Sequence, residues 1–258
     1  MKFFHRQLCN ATLVSLCLAV ANGAYAQVSS INSVIINPRV WNDVPGATLS
    51  TVSLYPAVIA FGEANVSAPT GYANRDTWQF SNNGGTNVYQ FQNNDYFSAS
   101  MTLQLSGGTG TYYPEAGFLF STANVGDIQS ILKTDGEVVQ FGGISFFSFN
   151  PPLVDTSGAT FNMGLNYFLD TTTGDNALQF FVNGNASPVF DFAPGAGIGD
   201  GSTLGGYFQI PQDSANPANS GSAVFQNISI QPSAVPEPST WVLLSAGILP
   251  LLLRRRRF

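Results

Sequence analysis

Between Gln27 and Pro232 apolar and polar residues alternate at period two, and no long segment holds the i, i+3, i+4 apolar spacing of a helix. The clearest case is "FSASMTLQL". Phe97, Ala99, Met101, Leu103 and Leu105 point one way, and Ser98, Ser100, Thr102 and Gln104 the other, the pattern of a half-buried antiparallel strand. The same reading predicts strands at "SVIIN", "TLSTVSL", "AVIAFG", "TWQFS", "NVYQF", "EAGFLFST", "EVVQFGG", "ISFFSF", "GLNYFLD", "ALQFFVNG", "PVFDF", "GYFQIP" and "AVFQNISIQ". Turn residues separate them. Asp135-Gly136 lies between "SILKT" and "EVVQF", "TTTGDN" separates "NYFLD" from "ALQFFV", and Asn183-Gly184 precedes "NASPVFDF". Gly126 to Leu132, "GDIQSIL", is the one stretch predicted as a short helix.

So many short strands with so little helix predict an all-β fold: two antiparallel sheets packed as a jelly-roll-like sandwich. No repeat of 20–50 residues argues for a propeller or solenoid. Phe-rich strands supply the core, each buried Phe contributing about 1.5–3 kcal/mol. "EAGFLFST", "NYFLDTTTGDNALQFFVNG" and "SAVFQNISI" together resemble concanavalin A-like and laminin G-like sandwiches, over Glu115 to Ile230. In those families a strand ending in "VNG" or "VDG" leads a hairpin, and a late "FxNIxI" strand closes a sheet.

The N-terminus changes the inventory of this body. Lys2 and Arg6, an apolar stretch from Leu8 to Val20, and Ala24-Tyr25-Ala26 have the order of a secretory signal, with cleavage by signal peptidase after Ala26. Leu16 is too bulky to precede a lipidated Cys17, and a buried N-terminal helix does not explain the cleavage pattern. Removing residues 1–26 removes Cys9, Cys17 and His5, so the body, 27–232, has neither Cys nor His. Disulfides, Ser-His-Asp relays and imidazole or thiolate metal sites are excluded there. The body holds three cations (Arg39, Arg75 and Lys133) against eleven Asp and three Glu, a net charge of −11 where the whole chain shows −6. Such a surface repels phosphate backbones, which excludes nucleic acid as a partner. Arg39 and Arg75 are each expected to pair with a carboxylate.

The segment 233–258 carries the most specific motif. Trp241 to Leu253 are 13 apolar or small residues, about 20 Å as a helix against a hydrocarbon core of about 30 Å. Arg254, Arg255, Arg256 and Arg257 follow as a membrane stop that stays cytoplasmic. Pro236-Glu237-Pro238, the short apolar span and the terminal Arg cluster resemble the PEP-CTERM sorting signal of Gram-negative bacteria. That resemblance implies processing by exosortase, transient anchoring in the inner membrane, and delivery to the cell surface or extracellular matrix. A signal helix and a C-terminal hydrophobic helix are thus expected to flank the sandwich.

The chemistry of the body is less specific. Glycoside hydrolysis needs two carboxylates across a cleft, and Glu63, Glu115 and Glu137 all lack the E-x-D-x-x-E order of laminarinase-type sandwiches. Asp170, Asp175, Asn176, Asp200 and Asp213 lie in loops that invite calcium, but without EF-hand order they read as turn residues. Trp41, Tyr72, Trp78, Tyr89, Tyr112 and Tyr113 are candidates for stacking on sugar rings, with core packing as the alternative. Asn65, Asn185 and Asn227 fall in N-x-[ST] sequons, which a bacterial sorting tail argues against reading as glycosylated. The expectation is therefore a cofactor-free, non-enzymatic, exported module with a structural or adhesive role, possible partners being exopolysaccharide and the sorting enzymes. A lectin-like, calcium-assisted carbohydrate-binding module is the alternative, and a carbohydrate-active enzyme the third reading.

Overall fold

The computed structural model describes residues 28–41, 44, 46–66, 73–108, 113–149, 158–211 and 219–233. The signal segment and the sorting motif, with Ala24, Ala26, Pro236 to Pro238 and Arg254 to Arg257, lie outside the described residues. So do Tyr72, Tyr112 and Asp213.

The described chain is all-β, two antiparallel sheets packed as a sandwich. One sheet runs, in spatial order, β1 (Ser33–Trp41), β4 (Ala73–Ser81), β14 (Thr203–Pro211), β6 (Glu115–Thr122), β7 (Gly126–Lys133), β8 (Val138–Gly142) and β9 (Phe147–Ser148). The other runs β12 (Asn185–Ala186), β11 (Asn176–Val182), β10 (Thr160–Leu169), β5 (Phe97–Gly107), β15 (Gly221–Pro232), β3 (Val58–Ala64) and β2 (Thr48–Leu54), with β13 (Phe190–Asp191) also on β11. The "FSASMTLQL" alternation holds throughout β5: Phe97, Ala99, Met101, Leu103 and Leu105 are buried and the intervening polar residues are not. Between the sheets lie Phe61, Trp78, Phe80, Phe118, Phe120, Phe208 and Phe225, many meeting edge to face.

The turns form where their residues allow. Asn183 (φ 50°) and Gly184 (φ 81°) both adopt the left-handed backbone that a tight hairpin between β11 and β12 requires. Asn65 and Asn227 also have positive φ, a conformation Asn tolerates better than most residues, so backbone geometry accounts for Asn at these two sequons.

Four local expectations are corrected. Gly126 to Leu132 is not a helix but most of β7. Gln129 to Leu132 are all buried, because the strand is covered on both faces, and the two-residue alternation that would have marked it is lost. "NVYQF" forms no strand: Phe91 makes one isolated bridge to Ser202, and Tyr89 N–H donates to the Phe80 carbonyl. "ISFFSF" and "PVFDF" shrink to the two-residue strands β9 and β13.

β14 lies between β4 and β6, so residues near positions 75, 115 and 209 become cross-strand neighbours.

Candidate functional site

Trp78, Phe80, Phe118, Phe120 and Phe208 point into the core, so the residues that alternate with them on β4, β6 and β14 line the outer face of the seven-stranded sheet. There the register aligns Trp41 with Arg75, Arg75 with Gln209, Gln209 with Glu115, and Glu115 with Lys133. Five side chains thus form one row across five strands, about 19 Å long at the usual strand spacing. Tyr207 stands in the next row, opposite Thr77 and Gly117.

The row is knit together. Arg75 Nε donates to Gln209 Oε1 at 2.6 Å, and its guanidinium carbon lies 5.1 Å from the Trp41 ring centroid and 5.2 Å from that of Tyr207. The Tyr207 hydroxyl donates to Glu115 Oε1 at 3.5 Å, and Lys133 Nζ pairs with Glu137. Asn37 Nδ2 donates to Gln79 Oε1 at 3.1 Å, and Gln79 Nε2 to Thr203 Oγ1 at 3.0 Å, which orders the floor beside the row.

Electrostatics divide the roles. Burial raises the Glu115 pKa, against the opposing pull of Lys133, Arg75 and the Tyr207 hydroxyl. Tyr207 is fully buried, and burial together with the Glu115 charge drives its pKa far upward, so its hydroxyl keeps its proton and donates. For Lys133 burial acts downward, but the bond to Glu137 and the charges of Glu137, Glu115 and Asp135 outweigh it and hold the ammonium charged. The face therefore holds two cations, a carboxylate that accepts a proton more readily than usual and, buried among them, a phenol held as a donor.

The other predicted residues are placed as follows. Trp78 and Tyr89 are core residues, whereas Trp41 and Tyr113 are exposed. Asp170 Oδ1 accepts from Thr172 N–H, Asp200 Oδ1 accepts from Asn93 N–H, and Asn176 bridges the Tyr96 hydroxyl and the Ala196 carbonyl. These loop side chains serve turn and loop geometry, and no cluster of three metal-binding side chains exists among the described residues. Two surface depressions, of about 550 Å³ beside Asn82–Gln92 and about 620 Å³ beside Gly142–Ser145 and Val189–Ala193, lie away from the row. No helix among the described residues is long and apolar enough to cross a membrane.

Arg39 finds the carboxylate expected of it, Glu63, on the inside of the sandwich. Beside them Asp76 Oδ1 accepts from Arg39 N–H at 2.9 Å, while Asp76 Oδ2 has no hydrogen-bond partner among the described residues. Burial pushes Asp76 up to about 6, with Glu63 adding to the rise and Arg39 opposing it. A carboxyl whose folded pKa exceeds its unfolded value of about 4 favours the folded state most below that value, and the advantage is lost as pH rises to about 6. Asp76→Asn should abolish this dependence, on the order of 3 kcal/mol at most. Urea unfolding of both chains from pH 4 to pH 7 measures it, and parallel curves would refute the assignment.

The fold recurs among solved structures. An alginate lyase from Pseudomonas aeruginosa matches with a TM-score of 0.50 and 14% identity, over 68% of this chain and 82% of that one. An alginate lyase from Corynebacterium sp. matches at 0.49 and 10% identity, over 75% and 83%. The Emp46p carbohydrate recognition domain in its potassium-bound form matches at 0.44 and 9% identity, over 73% and 88%. No family model matches the chain, and no curated protein matches it significantly.

The Pseudomonas aeruginosa neighbour bears out the antiparallel two-sheet sandwich expected from the strand pattern. The expectation of a non-enzymatic body with a structural or adhesive purpose is withdrawn: a solved protein that shares the sandwich is an alginate lyase. That expectation rested on the two terminal signals and the strand pattern, neither of which reports on the chemistry available at a sheet face.

Proposed function

We propose that the protein cleaves an acidic, uronate-containing polysaccharide by β-elimination on the outer face of the seven-stranded sheet. The row Trp41–Arg75–Gln209–Glu115–Lys133, aligned by strand register beside Tyr207, carries this reading. The alginate lyase that shares the fold supports the substrate class, and two of the body's three cations, Arg75 and Lys133, stand in this row, so a uronate meets positive charge here although the body is acidic.

Arg75 and the Gln209 amide receive the substrate carboxylate, a planar pairing that guanidinium suits. Neutralising that carboxylate acidifies the adjacent C5–H. Glu115 accepts the C5 proton, the C4–C5 double bond forms, the C4–O4 bond breaks, and Tyr207 protonates the departing oxygen. The proton on Glu115 then returns to Tyr207 along the 3.5 Å hydrogen bond that already links them. Tyr207 is fully buried, with the Arg75 guanidinium 5.2 Å from its ring centroid, so this step requires Arg75 to shift when it takes the substrate carboxylate. Lys133 extends the cationic row toward a neighbouring uronate.

The terminal signals complete the proposal. A secretory segment ending at Ala26 and a PEP-CTERM tail from 233 to 258 would pass the enzyme through the inner membrane to exosortase and on to the surface or matrix, where exopolysaccharide is at hand.

The test incubates the full chain with alginate, polygalacturonate and hyaluronan. It follows the ultraviolet absorbance of the conjugated unsaturated uronate and, separately, new reducing ends. Elimination produces both. Reducing ends without unsaturation would mean hydrolysis, and neither signal on any polymer would reject the reading.

A further inference from the structure

From Asn37 to Trp41, four steps along β1 cover two along β4, from Thr77 to Arg75, so β1 carries a bulge. Arg39 sits in it with φ 50° and turns inward. Its guanidinium donates through Nε to Glu63 Oε1 at 3.1 Å, and through one terminal nitrogen to Glu63 Oε2 at 3.3 Å and to the Ala47 carbonyl at 2.9 Å. The Glu63 side chain is wholly buried on β3, in the opposite sheet. A charged link across the sandwich therefore holds the bulge.

The outer side of the same bulge is unlike the rest of the face. Val40 and Trp41 stand out, 54% and 49% exposed. Trp41 meets the Arg75 guanidinium and leaves about half of its surface to solvent. An indole so placed offers a rigid, amphipathic plane, at the end of a row that the reading above assigns to a charged polymer.

We propose that Trp41 is a stacking platform for a pyranose ring, a subsite next to the one whose carboxylate Arg75 receives, and that the buried Arg39–Glu63 bridge is its positioning element. This rests on the polysaccharide reading of the face. The ring that stacks needs no charge. Its apolar C–H face covers the indole while its hydroxyls stay in water. Glu63 and Arg39 touch no sugar and act through the bulge alone.

The experiment uses the full chain with Trp241→Phe, so that emission comes from Trp41 and the buried Trp78. Alginate and alginate oligosaccharides of graded length are the probes. Trp41→Ala should raise KM for the polymer about tenfold with a smaller fall in kcat. Trp41→Phe should recover most of that loss, and oligosaccharides too short to reach Trp41 should not register the change. Glu63→Gln should raise KM likewise and make Trp41 more readily quenched by acrylamide without any sugar present. Arg39→Lys, which keeps the charge but loses the fork, serves if Glu63→Gln does not fold.

A wild-type chain that turns over alginate, beside a Trp41→Ala chain with the same KM, would overturn the platform and leave the polysaccharide reading standing. Folded Arg39→Lys or Glu63→Gln chains with unchanged quenching and KM would overturn the positioning role. A wild-type chain with no turnover and no change in Trp41 emission on any uronate polymer would reject both.

Discussion

Glu115→Gln is expected to lower kcat by about 10²- to 10⁴-fold, the usual worth of a positioned general base. The substitution preserves shape and leaves an oxygen for the Tyr207 hydroxyl 3.5 Å away, so binding should change less than turnover. The pH profile makes the test specific. Burial raises the Glu115 pKa, so the acid-side fall in activity should come at a higher pH than an ordinary carboxylate would give. The base works only when deprotonated, hence activity is lost as pH falls through that value and regained above it. The residual activity of Glu115→Gln should lack this limb. A variant that keeps wild-type kcat, or keeps the limb, would remove Glu115 from the chemistry. Tyr207→Phe provides the complementary loss on the leaving-group side.

Phe225→Ala is expected to destabilise the fold by about 3–5 kcal/mol, a large share of the roughly 5–15 kcal/mol that holds a domain together. Phe225 is completely buried on β15, 6.2 Å from the Phe61 ring centroid and 5.9 Å from that of Trp78, where the two sheets meet. The surrounding strands are tied into continuous ladders and cannot collapse onto the space left behind. Phe146→Ala is the contrast: Phe146 is 66% exposed, and its loss should fall within about 0.5 kcal/mol. Denaturant unfolding of both variants gives the comparison, and similar midpoints would contradict the core assigned here.

The sandwich was legible wherever one face of a strand meets water. β5 alternates because Ser98, Ser100, Thr102 and Gln104 face outward. β6 matches the predicted "EAGFLFST" at both ends. The reading failed at β7, where cover on both faces erased the period, and at "NVYQF", whose apolar residues pack without pairing as a strand. The candidate site was hidden for a different reason. Arg75 attracted notice only as a rare cation, Glu115 only as a carboxylate without a partner motif, and Tyr207 not at all. Their proximity comes from the placement of β14 between β4 and β6, which local spacing does not encode. One usable signal was present: polar residues at alternate positions of "NRDTWQF" and "GGYFQIP", strands whose other face is aromatic.

The place of β14 also sets a schedule. Arg75 and Gln209, in direct hydrogen-bond contact, are 134 positions apart in the chain, and β15, which pairs with both β3 and β5, comes later still. A ribosome or a translocation channel releases the chain from its N-terminal end. The strand carrying Arg75 must therefore wait, with an open edge, until almost the whole body has emerged. Closure through such distant partners is slow, and an open strand edge invites pairing with other chains. A chain shortened before Thr203 would lose Tyr207 and Gln209 together with the strand that sets Arg75 beside Glu115. The row assembles only after β14 has emerged.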